Sequence, residues 1–224
     1  MAKKKEVPKP EEEILVLHEK WVKAAKEHLR EIIIVAITAV FLASLWAFYN
    51  YYRQKHLEEA TLLYAKALMT TNEGQKKGLL EEVIKKYDGT TVSLEARLSL
   101  CEIYFEKGEL KKAEEELKRV ATKTKGALKV AAEMGVGYFA EDEKRYSDAA
   151  RYYQKGASAN IGLEEIAYFD LARVAELQKK WGDAVKYYQE LISLKPAENK
   201  LDFLQVKLSR LMEKVGSKSK EGEG

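Results

Sequence analysis

The sequence predicts an all-α protein, with one apolar helix near the N-terminus followed by a solenoid of helical hairpins. Three observations lead there. Residues Ile32–Tyr49 carry no charged side chain. Further along, Ala113, Ala149 and Ala184 stand 36 and 35 residues apart within similar segments. Ala, Glu, Lys and Leu dominate, and 224 residues hold only three prolines, which favours helix throughout.

Charge and chemistry exclude several function classes. The 39 basic and 36 acidic residues leave a net charge of +3, and the signs are interleaved, so no nucleic-acid partner is expected. Cys101 is the single cysteine; it has no intrachain disulfide partner and reads as a small core residue. The three histidines, His18, His28 and His56, have no metal or nucleophile partner near them in sequence. Gly135-Val136-Gly137 sits inside a helical pattern, not in a phosphate loop. The carboxylates are expected in solvated pairs with lysines four residues away, as around Glu114, Glu116 and Lys118. No cofactor, metal or catalytic residue is expected, and the protein reads as a non-enzyme.

The apolar stretch IIIVAITAVFLASLWAFY covers ~27 Å as a helix, close to the ~30 Å hydrocarbon core of a bilayer. A cleaved signal peptide fits poorly, because about 30 residues precede the run and no A-x-A-like site follows it. A buried core helix would show a polar face, and this run has none. Trp46, Phe48, Tyr49, Tyr51 and Tyr52 suit an interfacial belt. An uncleaved single-pass anchor is expected. Lys20, Lys23, Lys26 and Arg30 before the span nearly balance Arg53, Lys55 and Lys66 after it; Lys3, Lys4, Lys5 and Lys9 tip the bias to a cytoplasmic N-terminus.

Residues 1–10, with a lysine run and two prolines, read as a disordered tail. From Glu11, Ile14, Leu15, Leu17, Trp21 and Leu29 recur at helical spacing. This helix fits either the inner membrane surface or a straight run into the span. After the span the helix continues to Met69. Thr70–Gly74 breaks it, and a second helix holding Leu79, Leu80, Val83, Ile84 and Tyr87 ends near Gly89. The expected organisation is a cytoplasmic tail and amphipathic helix over 1–30, the anchor over 31–50, the repeat domain over 51–215 and a flexible tail over 216–224.

Three segments then superpose. The first holds Leu100, Cys101, Tyr104, Gly108, Ala113 and Leu117. The second holds Val136, Gly137, Ala140, Lys144, Tyr146, Ala149 and Tyr153. The third holds Leu171, Ala172, Ala175, Lys179, Trp181, Ala184, Tyr188 and Pro196. This pattern resembles the tetratricopeptide repeat, whose period is ~34 residues. Small residues on both helices of a hairpin allow close approach, and the aromatics fill the space toward the next unit. The first segment has Leu117 where the others have Tyr, and the second has Ala140 where Tyr is usual and no turn glycine. Its register can slip by two residues if its extra length sits between helices, but the in-step register is preferred because it puts Tyr146-Ser147-Asp148-Ala149 at the helix start. The Leu57–Tyr87 hairpin reads as a degenerate first unit, and a helix over Lys200–Val215 as the C-terminal cap.

Stacked hairpins make a superhelix whose inner face is lined by first helices. In this register the groove candidates are Leu98, Glu102, Phe105, Met134, Tyr138, Phe169, Arg173 and Glu176. For Phe105, Tyr138 and Phe169 the pattern fits a groove and a core position equally. Arg173 stands without a basic neighbour, so no carboxylate clamp is expected.

The anchor, the Tyr64-Ala65-Lys66-Ala67-Leu68 helix, the TVSLEARLSLCEIYFEKGELKKAEEEL segment and the later repeats together resemble the YfgM-like ancillary subunits of the bacterial Sec translocon. The likeness covers Ile32–Lys214; the long segment before the anchor departs from it. It implies a single-pass inner-membrane protein with a periplasmic domain that meets translocon subunits, periplasmic chaperones or emerging client chains. A scaffold for envelope or outer-membrane assembly, or a regulatory subunit of a membrane enzyme, is the alternative.

Overall fold

The computed structural model describes residues 21–23 and 26–221. Among these residues there are nine long helices and no strand: α1 (Leu29–Met69), α2 (Glu73–Lys86), α3 (Thr91–Glu106), α4 (Leu110–Lys123), α5 (Gly126–Asp142), α6 (Tyr146–Ala157), α7 (Glu164–Leu177), α8 (Trp181–Ser193) and α9 (Glu198–Glu221). The predicted N-terminal tail, and most of the helix predicted from Glu11, lie outside the described residues. Two compact units are present, one through Glu58 and one from Glu59, so the boundary falls inside α1.

In the first unit, α1 is long and apolar enough to cross a membrane, and none of its apolar window is buried by protein. Thr38 and Ser44 return their hydroxyls to the carbonyls of Ile34 and Val40, both at 2.8 Å. That contact hides the hydroxyl dipole in an apolar stretch.

In the second unit each helix from α2 to α9 packs on the next. Their ends follow from sequence. Asn72 and Thr90 cap α2 and α3 by accepting from the backbone N–H of Gln75 and Ser93, at 3.0 and 3.1 Å. The turn inside each of the three regular hairpins has one geometry. Gly108, Lys144 and Lys179 take positive φ angles of 73°, 61° and 58°, each two residues before the next helix. In each, a backbone N–H five residues on closes the turn: Glu109 to Tyr104, Arg145 to Ala140 and Lys180 to Ala175, at 2.7–2.9 Å. This is the Schellman arrangement, and it fixes the second repeat in step with the others. The lysines adopt a conformation that costs an L-residue roughly 1–2 kcal/mol.

The core holds the predicted small residues. Ala113, Ala149, Ala172 and Ala184 are fully buried. A Cβ on Gly137 would sit 2.8 Å from the Tyr153 ring, and one on Gly156 would sit 2.4 Å from Met134 Sδ. In the incomplete first hairpin, Ala60 and Ala67 of α1 share a core with Leu80, Val83, Val92 and Ala96.

Three expectations are corrected. The helix predicted to stop at Val215 continues through Gly216 to Glu221, because the lysines and glutamate that follow are good helix formers. Glu114 and Glu116 are buried instead of solvated. Glu114 accepts from Lys118, as expected, and also from Arg145 of the following turn at 3.1 Å; Glu116 accepts from Arg97 Nη1 at 2.8 Å. The acidic face of α4 is turned onto its neighbours, where those arginines wait. Cys101 is half-buried, and burial raises its thiol pKa.

Candidate functional site

The first helices of successive hairpins, α3, α5, α7 and finally α9, present one continuous face. Side chains 31–35 residues apart join them. Phe105 of α3 meets Phe139 of α5 edge-on at 6.1 Å. Tyr138 of α5 donates to Asp170 of α7 at 2.5 Å. Arg173 of α7 grips Glu141 of α5 with two parallel bonds, Nε to Oε1 at 2.7 Å and Nη2 to Oε2 at 2.8 Å. Lys207 of α9 donates to both oxygens of Glu176 at 2.9 Å. The two ion pairs repeat in place: Glu176 stands 35 residues after Glu141, and Lys207 34 residues after Arg173.

Seven of the eight sequence candidates lie at least partly open on this face. Leu98, Glu102 and Phe105 of α3 and Tyr138 of α5 are exposed, and Phe105 is the most open of the three apolar side chains at 60%. Phe169, Arg173 and Glu176 of α7 are half-buried. Met134 is the correction: at 4% exposure it lies in the core, where its sulfur fills the space left by Gly156. The alternatives for the aromatics separate as well. Phe105 and Tyr138 offer open ring surface, whereas Phe169 packs edge-on against Tyr188 at 6.3 Å.

Arg173 is not isolated. It also meets Asp170 through Nη1 at 2.8 Å, and its guanidinium lies 5.7 Å from the centre of the Tyr138 ring. Burial would raise the Glu141 carboxyl, but bonds from Arg173 and Tyr153 outweigh it and hold the group below the usual range. Burial dominates at Asp170 and raises its carboxyl despite Tyr138 and Arg173. The phenols of Tyr138, Tyr153 and Tyr188 are all pushed up, first by burial and then by the carboxylates they donate to. Glu141, Asp170 and Glu176 on this face are therefore each tied to a donor from a neighbouring helix. Among the described residues no cluster of His, Cys, Asp and Glu could hold a metal ion.

Sequence reasoning missed Glu141, Asp170 and Lys207. The signal was present: Glu141 and Glu176 each stand 12 residues before the tyrosine that donates to them, Tyr153 and Tyr188, at 2.8 and 2.7 Å.

No curated protein matches the chain. Among solved structures it is similar to the nearly identical TPR-like repeats of a protein assigned as a kinesin light chain in Podospora anserina. The TM-score is 0.51 at 15% identity, over 76% of this chain and 90% of that one. That likeness supports the fold alone. The family description of the tetratricopeptide repeat-like domain matches residues 21–213, nearly the whole length. The chain therefore belongs to the tetratricopeptide repeat-like domain family.

Proposed function

We propose that this protein is a membrane-anchored interaction scaffold whose first-helix face captures other proteins, and that its activity is binding rather than covalent chemistry. One observation carries the reading: an uncharged, unburied helical stretch of spanning length precedes a repeat domain whose first helices leave Leu98, Phe105 and Tyr138 exposed. Repeats of this family generally bind proteins, and aromatic and aliphatic side chains set among charges suit an extended segment or a partner helix. The anchor confines the face to the membrane surface and raises its effective concentration near a membrane-bound partner.

In this reading the N-terminus is cytoplasmic, the repeat domain is periplasmic in a bacterial inner membrane, and the partners are Sec translocon subunits, periplasmic chaperones or secreted chains. The basic N-terminal residues and the likeness to the YfgM-like subunits support it. The test is crosslinking in intact cells, followed by carbonate extraction, protease accessibility and identification of co-purifying proteins. Retention in carbonate-washed membranes, protection of the repeat domain until the outer barrier is opened, and recovery of translocon subunits are expected. Release by carbonate would overturn the anchor. Recovery of envelope-assembly factors without translocon subunits would overturn the secretion role and leave an anchored scaffold.

A further inference from the structure

The last junction of the array differs from the one before it. Between α5 and α7 the space under the first-helix face is closed, because Met134 fills the room over Gly156 and Asp170 supplies a polar wall. One repeat later those three places are held by Phe169, Leu191 and Leu204. Together with Ile166 and Phe203 they line an open cavity of about 320 Å³ whose walls are almost wholly apolar. Lys200 and Glu165 pair across its edge. Ile166 and Phe203 are each 50% exposed, so the mouth is open to solvent.

The face of α9 that carries Phe203 also carries Lys200, Lys207, Arg210 and Lys214, at steps of three and four residues. Lys200 and Lys207 are matched by Glu165 and Glu176 of α7, and Lys214 lies 4.4 Å from the centre of the Trp181 ring. Arg210 makes no ion pair among the described residues. It stands two turns from Phe203, about 10 Å along the helix axis, which an extended chain crosses in about three residues.

We propose that the α7–α9 cavity is the anchor pocket of the binding face, and that it takes one large aliphatic or aromatic side chain from an extended protein segment that also bears a carboxylate about three residues away. The occupant follows from complementarity: an apolar cavity of side-chain size and, two helical turns along α9, a cation with no ion-pair partner among the described residues. A large apolar residue in a desolvated pocket supplies most of the affinity, and the Arg210–carboxylate pair sets the register of the segment. This rests on the first-helix face being the protein-binding face.

The probe is a library of random displayed peptides selected on the full chain in lipid nanodiscs, with synthetic copies of the enriched peptides measured by fluorescence anisotropy. Enrichment of a large apolar residue followed or preceded by Asp or Glu at about three residues is expected. Ile166→Ser and Arg210→Glu should each weaken a selected peptide by about tenfold or more. A copy with Lys in place of its acid should recover on Arg210→Glu. Both substituted residues are exposed, so melting curves should match the parent; if Ile166→Ser does not fold, Phe203→Ser replaces it. Peptides that bind these variants unchanged but are lost with Phe105→Ala would overturn the pocket and leave the binding face standing. Selection of no peptide at all would overturn both. Binding of dansyl-undecanoic acid that the same substitutions abolish, with no peptide selected, would assign the cavity to an acyl chain and overturn the proposal.

Discussion

The two halves of the repeat domain pair their charges differently. The α3–α4 hairpin buries Arg97 against Glu116 at 2.8 Å, between the two helices of one hairpin, and its first-helix face is aromatic and open at Phe105. The later hairpins place Glu141 and Glu176 where the early one has Phe105, and Tyr153 and Tyr188 where it has Leu117. Their charges then bridge one repeat to the next through Arg173 and Lys207. One backbone pattern thus carries two chemistries: an early hairpin with a buried arginine–glutamate pair between its helices and an aromatic first-helix face, and later hairpins whose first helices are joined to the next repeat by ion pairs.

Breaking the early pair should give the largest effect. Glu116→Ala leaves buried Arg97 only the longer contact with exposed Asp88, at 3.8 Å, and should cost about 3–5 kcal/mol in a urea melt. A loss no greater than that of an exposed glutamate would show that Arg97 finds another partner. Within each late hairpin a tyrosine holds the carboxylate that the next repeat grips, so Tyr153→Phe and Tyr188→Phe each remove a hydrogen bond to a charged group and should each cost about 1.5–3 kcal/mol by the same measurement. Equal, negligible losses would erase the contrast between the halves.

A pH series sharpens the contrast, since Glu141 and Asp170 are displaced in opposite directions. A carboxylate held below its ordinary value stabilises the fold above about pH 4.3, and that contribution is lost as pH falls through its folded value. A carboxyl held above its ordinary value contributes fully below about pH 3.9, and that contribution is lost as pH rises through its folded value. Melting temperatures of Glu141→Gln should therefore show a shallower acid-side decline than the parent, and those of Asp170→Asn a shallower decline as pH rises. The smallest effect concerns the turns: Lys144→Gly relieves a positive φ of 61° and should stabilise by about 1 kcal/mol, whereas Gly108→Ala should destabilise by about as much.

Much of the fold was legible because its signals are local or periodic. Ala113, Ala149 and Ala184 marked the close helix contacts, and Tyr146 marked the start of α6, where the structure begins that helix. Lys144 and Lys179 were harder, since nothing in a lysine announces a left-handed turn; only their equivalence to Gly108 does. The candidate site was legible as a face but not as a surface. Met134 has the spacing of a groove residue, and sinks because Gly156, on another helix, leaves it room. Glu114 and Glu116 look like any solvated helix pair until Arg97 and Arg145 are brought over them. Those partners lie 19 and 31 residues away, beyond the reach of helical periodicity.

The most direct test of the central claim is site-specific photocrosslinking in intact cells. A photoreactive residue would stand at Phe105 on the first-helix face or, as the control, at Lys186 on the second helix α8, with adducts identified by mass spectrometry. Discrete adducts to defined proteins from position 105, absent from position 186 and diminished by Tyr138→Ala, are predicted. Adducts that are the same from both positions, or none from position 105, would contradict a binding face built on the first helices.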